Sequence, residues 1–155
     1  KVGISNPELR LKQFPFEFSG GMRQRIMIAM ALLTKPDMLI ADEPTTALDV
    51  TIQAQILALL KELQEQLGLT VVIVSHDFSV IAGICDQVYV MRNGLVLEHA
   101  PVDTIFAQSL HPYTQSLLKA ARLEASQGPV PADRDDSQLV QVVPEHWVRK
   151  EEKNG

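Results

Sequence analysis

Hydrophobic positions change their spacing several times along the chain, and each change marks an element. From Ser19 the residues read Ser-Gly-Gly-Met-Arg-Gln-Arg and run into apolar positions Ile26, Met30 and Leu33 at helical spacing. Ser19 is the expected cap of that helix and Pro36 marks its end. Residues 38–41 are short, continuously apolar and bounded by turn chemistry, which predicts a strand buried on both faces of a parallel sheet. Asp49 is then placed to cap a long helix whose one face carries Ile52, Ile56, Leu59, Leu60, Leu63 and Leu67, with Gly68 as its stop.

Residues 70–74 are β-branched and predict a second buried strand, and Asp77 caps a short helix to about Ile84. Residues 87–91 and 95–99 alternate around Asn93-Gly94, a step that tolerates positive φ at both positions and so predicts a hairpin. Two small helices are expected at 103–107 and 113–121. Residues 127–136 are rich in proline and charge and read as a linker, after which 139–143 and Trp147-Val148 suit a late strand. Residues 150–155 are expected to fray.

Length and composition narrow the class. A chain of 155 residues suits one domain and can bury roughly 70% of its unfolded surface. With 46% hydrophobic and 21% charged residues it belongs with globular chains. A net charge of -5 argues against nucleic acid as the main partner. The longest apolar run, residues 26–33, is far short of a membrane span. The one cysteine, Cys85, has no internal partner for a disulfide, fits a reducing compartment and reads as a small core residue.

The chemistry lies at the ends of the apolar runs. A strand ending in Asp42-Glu43 presents two carboxylates at the carboxyl edge of a parallel sheet, where open α/β sheets bind ligands. In phosphoryl transfer such an aspartate holds Mg²⁺ and the next glutamate orients and deprotonates the attacking water. Alone, the pair also reads as two acids that start a loop. Ser19-Gly20-Gly21 opens a helix, where amides favour anions and glycine lets a phosphate approach; alone it also reads as an ordinary serine cap. His76 follows the second strand, where it can donate to a terminal phosphate or serve a structural role.

Taken in order, residues 19–25, Asp42-Glu43-Pro44-Thr45-Thr46-Ala47-Leu48-Asp49 and Ser75-His76-Asp77 closely resemble the nucleotide-binding subunits of ATP-binding cassette transporters. The resemblance covers roughly residues 15–118. His111-Pro112-Tyr113-Thr114 with Leu117-Leu118 is similar to the oligopeptide, dipeptide and nickel importer branch. The resemblance implies an α/β fold: a P-loop NTPase-like parallel sheet with a helical signature segment. It implies ATP and Mg²⁺ as cofactors, Asp42 as the metal-linked aspartate, and Glu43 and His76 as catalytic base and γ-phosphate contact. Ser19, Gly20, Gly21 and Met22 would serve the nucleotide held by a second cassette, and Asp49 would end a loop communicating across that dimer.

By the same resemblance the other partners are transmembrane permease subunits and, indirectly, an external solute-binding protein, with the subunit peripheral on the cytoplasmic face of the membrane. Met22 departs from the glutamine usual in the family, as in the peptide branch. The sequence contains no Gly-x-x-x-x-Gly-Lys-Ser/Thr phosphate loop, so it is expected to be the C-terminal part of a longer subunit and to bind ATP poorly alone. The rival expectation is a non-catalytic remnant that docks onto a partner. Residues 1–121 are expected to form the cassette part and 122–155 a linker and extension. The strand at 70–74 is expected to carry an unpaired apolar edge. No cysteine follows Cys85, which argues against an iron–sulfur site.

Overall fold

The computed structural model describes residues 2–121 and 137–150. The chain divides into two compact units, residues 1–76 and 77–155, where the length suggested one domain. The division does not follow the expected boundary at 121/122, because the described part of the extension pairs with the sheet of the second unit.

The first unit opens with a short helix α1 (Pro7–Arg10) and a 3₁₀ turn (Pro15–Glu17), then α2 (Gly20–Leu32), β1 (Met38–Asp42), α3 (Val50–Leu67) and β2 (Thr70–Val74). α3 ends where Gly68 turns left-handed at φ 65°, and it buries Ile56, Leu59, Leu60 and Leu63. These leucines, with Leu39 and Leu69, form the core of this unit. β1 and β2 pair in parallel, Leu39 opposite Val71 and Ala41 opposite Ile73.

Two expectations about burial fail here. The strands are covered on one face only: Leu39 is buried, whereas Ile40 is 66% and Val74 49% exposed. Alternation at period two sends Met38, Ile40, Val72 and Val74 to a face that no described element covers. Met30 of α2 and Leu33, the residue that caps its end, have exposed side chains, and Gly21 and Ile28 are the buried residues of the helix. The reason is that α2 meets α3 through its first turn, where glycine lets the backbones close. Among the described residues β2 pairs only with β1, so its outer edge is open, as expected.

The second unit contains α4 (Phe78–Ile84), β3 (Gln87–Arg92), β4 (Leu95–Pro101), α5 (Val102–Gln108), α6 (Pro112–Ala121), β5 (Gln138–Val143) and β6 (His146–Lys150). Its sheet is antiparallel in the order β3-β4-β6-β5. The β3–β4 turn places Asn93 at φ 50° and Gly94 at φ 82°, both left-handed. Ala100, Ile105 and Leu118 form the core, with Phe78, Val88 and Phe106 packed on it. Where one late strand was expected there are two, and β6 joins β4. Residues 122–136 and 151–155, including the expected linker and the fraying end, lie outside the described residues.

Candidate functional site

β1 delivers Asp42 to the carboxyl end of the parallel pair, and the chain then turns sharply. Glu43 adopts a left-handed φ of 47° while its N–H donates to the Val74 carbonyl at 2.8 Å, extending the sheet contact by one residue. The Thr46 N–H donates back to the Glu43 carbonyl at 3.2 Å and the Leu48 N–H to the Thr45 carbonyl at 3.2 Å. Ala47 is left-handed as well, at φ 62°. Left-handed non-glycine residues carry strain of about 1–3 kcal/mol each and gather at functional sites. The buried Pro44 and Thr45 anchor the loop that holds them.

The Glu43 carboxylate is gripped at both oxygens. Oε1 accepts the His76 backbone N–H at 3.2 Å and lies 2.7 Å from His76 Nδ1. Oε2 accepts the Thr46 hydroxyl at 2.7 Å. The bonds from His76, then from Thr46, hold the Glu43 carboxyl below the usual glutamate range. An ionised carboxylate only accepts, so Nδ1 is the protonated nitrogen of the pair. The His76 side chain is 83% exposed and that of Glu43 35%, so the pair stands open to a ligand from solvent.

Asp42 stands exposed at the strand end, and no hydrogen bond or ion pair engages its carboxylate among the described residues. No group of three or more acids, histidines or cysteines that could hold a metal occurs among those residues. The single unengaged carboxylate of Asp42 is the kind of donor Mg²⁺ takes, one or two carboxylates with the rest of the shell completed by water and substrate phosphates. It does not fit an all-protein metal cage.

The helix starts form a second group. Ser19 Oγ accepts the Met22 N–H at 3.4 Å, and Asp49 Oδ1 accepts the Ile52 N–H at 2.9 Å, so both are helix caps. A Cβ on Gly20 would lie 2.9 Å from Leu48 Cδ2, and one on Gly21 only 2.5 Å from Ile52 Cγ2. The glycines thus let the start of α2 sit against the start of α3. Asp42, Glu43 and His76 come together at the strand ends; Ser19, Gly20, Gly21, Met22 and Asp49 come together at the helix starts. No hydrogen bond joins the two groups.

Two features escaped the sequence reading. Thr46 was within a quoted motif, and the signal was its place three residues after Glu43 in a turn. Glu98 is fully buried in β4, bonded to His146 Nε2 at 2.7 Å and to the N–H groups of Leu110 at 2.7 Å and His111 at 3.2 Å. His111 Nδ1 in turn accepts the Tyr113 N–H at 3.1 Å, capping the start of α6. The His-Pro-Tyr-Thr segment therefore has a structural job in this unit.

Residues 1–46 match the family model described as ABC transporter. The dipeptide transport ATP-binding protein DppD of Bacillus subtilis is 58% identical over 117 residues, 76% of this chain and 35% of that protein. The oligopeptide transport ATP-binding protein OppD of Escherichia coli is 56% identical over 125 residues, 80% of this chain and 37% of that protein. The chain spans about a third of the length of the curated relatives it matches. Among solved structures, an ATP-binding cassette dimer in a post-hydrolysis state with ADP and Pi is 32% identical with a TM-score of 0.53, covering 64% of this chain and 50% of that one. An ATP-binding cassette in an ADP conformation is 26% identical with a TM-score of 0.57, covering 65% and 40%. These likenesses, joined to the parallel pair that ends in Asp42-Glu43 and the serine-capped glycine helix, place residues 1–46 in the ATP-binding cassette transporter family and make the chain as a whole similar to the ATP-binding subunits of such transporters.

Proposed function

We propose that this chain supplies the signature helix and the hydrolytic acid of an ATPase subunit that energises import of oligopeptides or dipeptides. The reading rests above all on the Glu43–His76 pair, 2.7 Å apart at the carboxyl edge of two parallel strands. Glu43 is ionised at neutral pH and open enough to take a proton from an attacking water. His76 braces Oε1 through its amide and ring while the exposed imidazole faces solvent, where it can meet a terminal phosphate. Asp42 would hold Mg²⁺ through water, and the ion would neutralise charge on the phosphates.

The start of α2 offers amide donors and close approach at Gly20, chemistry suited to a phosphate held by a second cassette. In this reading the subunit works as a pair, homo- or heterodimeric, beneath permease subunits on the cytoplasmic face of the membrane. A solute-binding protein outside is an indirect partner. No helix among the described residues is long and apolar enough to cross a membrane.

The test is steady-state ATP hydrolysis by the complete subunit that contains these residues, assembled with its partner cassette. Glu43→Gln is expected to lower kcat by about 10²- to 10⁴-fold while nucleotide binding persists. The chain by itself is expected to stay at background. An unchanged kcat in the Glu43→Gln subunit would overturn the assignment and favour a remnant that only docks.

A further inference from the structure

We infer that Thr46 is a positioning residue for the hydrolytic step: its hydroxyl fixes the plane of the Glu43 carboxylate from the side that His76 does not reach. The inference deepens the function proposed above and rests on it.

A carboxylate offers about four acceptor positions, two on each oxygen. His76 fills both on Oε1, one with its amide at 3.2 Å and one with its ring at 2.7 Å. Those two bonds share one atom, so they act as a hinge. The terminal torsion of a glutamate is broad and soft, and the group can swing about that oxygen. Only a donor on Oε2 stops the swing, and among the described residues Thr46 Oγ1 at 2.7 Å is the donor there. One position on Oε2 then remains for a water proton, with its direction set.

The loop is shaped to bring that hydroxyl home. Thr46 reaches Glu43 because its own N–H bonds the Glu43 carbonyl at 3.2 Å, closing a tight turn. The turn needs Glu43 at φ 47° and is followed by Ala47 at φ 62°, two left-handed residues without glycine. A threonine in a turn usually bonds nearby backbone; here the hydroxyl bonds the carboxylate instead. Thr46 is itself exposed, so its side chain adds little to the core. Among the described residues the bond to Glu43 is the hydrogen bond that the Thr46 hydroxyl makes.

The experiment uses the complete subunit with its partner cassette and compares Thr46→Val, Thr46→Ser and Glu43→Gln in steady-state ATP hydrolysis. Thr46→Val keeps the shape and removes the donor. A small misplacement of a catalytic group costs up to about 10² in rate, so kcat is expected to fall about 10-fold. KM for ATP should stay within about twofold, because Thr46 acts through Glu43 and not on the nucleotide. Thr46→Ser restores the donor and should recover kcat to within about threefold of wild type. If Glu43→Gln abolishes turnover and Thr46→Val does not lower it, the positioning role is wrong and the proposed function stands. If Thr46→Ser is as slow as Thr46→Val, or KM rises in step with the loss of kcat, the hydroxyl is not the cause and the inference fails. If Glu43→Gln turns over at the wild-type rate, the function proposed above fails first.

Discussion

Replacing Glu98 by alanine strips three donors, two of them on buried residues, of one acceptor. Glu98 is fully buried, and its carboxylate serves His146 of β6 and the two amides that precede α6. His146 is itself 2% exposed, so water cannot easily take over. Each buried donor left unpaired costs about 1–3 kcal/mol. These losses overlap, since they share one carboxylate. We expect Glu98→Ala to destabilise the second unit by about 2–5 kcal/mol. Glu98→Gln keeps the volume and one acceptor oxygen, and should cost less than half of that.

The readout is built in. Trp147, the single tryptophan, lies in β6 next to His146 and stacks on His99 with ring centroids 4.9 Å apart. Denaturant unfolding followed by its fluorescence reports on this unit, and amide exchange at Leu110 and His111 reports on the two backbone bonds. Glu98→Ala should lower the midpoint and speed exchange at both amides and through β6. A midpoint shift worth less than about 1 kcal/mol, with exchange at Leu110 unchanged, would show that the carboxylate does not join β4, β6 and α6.

Three further outcomes are expected. Gly21→Ala pushes a methyl to 2.5 Å from Ile52 Cγ2, and overpacking of about 1–3 kcal/mol should outweigh the helix gain of about 1 kcal/mol. Adding Ile52→Ala should recover part of the loss, and a strictly additive double mutant would refute the contact. His99, desolvated and beside His146, takes up its proton at lower pH than the ordinary 6.5 of the unfolded chain. The stability of the second unit should therefore be full above about pH 6.5 and decline as pH falls toward the folded value; His99→Phe, measured across pH 5–8, should flatten that decline. Finally, Ile40→Lys with Val72→Lys should reduce concentration-dependent light scattering of the chain, because both side chains lie on the uncovered face of the parallel pair. Equal scattering would locate the association elsewhere.

Where a local rule had one physical solution, the sequence was readable. Asp49 and Gly68 bracket α3 because a carboxylate caps a helix start and only glycine turns left-handed there cheaply; 70–74 is a strand because five β-branched or threonine-like positions stiffen χ1. Asn93-Gly94 turned as its φ preferences demand. What failed depended on a neighbour. Met30 and Leu33 keep helical spacing whether or not another element lies against them, so spacing could not say that the buried contact of α2 is Gly21 on Ile52. Ile40 and Leu39 are equally apolar, and only the one-sided packing separates them. Glu98 was invisible because a strand acid looks solvent-facing until its three donors, 12 to 48 residues away in sequence, are brought to it.

The acidic loop shows both limits at once. Asp42 and Glu43 could be placed at a strand end from spacing alone, and with them the expectation of phosphate chemistry. The left-handed turns at Glu43 and Ala47 could not, because neither residue type asks for them. They are held by tertiary bonds, Glu43 N–H to the Val74 carbonyl and His76 to the Glu43 carboxylate, which cross from one strand to the next. Strain that a sequence does not request and a fold nonetheless maintains must be offset by those bonds, and they meet on one residue, Glu43. A glycine at residue 47 tests that argument. It would relieve the left-handed strain and should raise stability or leave it unchanged, while loosening the turn that carries Thr46 and lowering kcat of the complete subunit. Faster hydrolysis with Ala47→Gly would mean that the strained turn restrains Glu43 instead of aiming it.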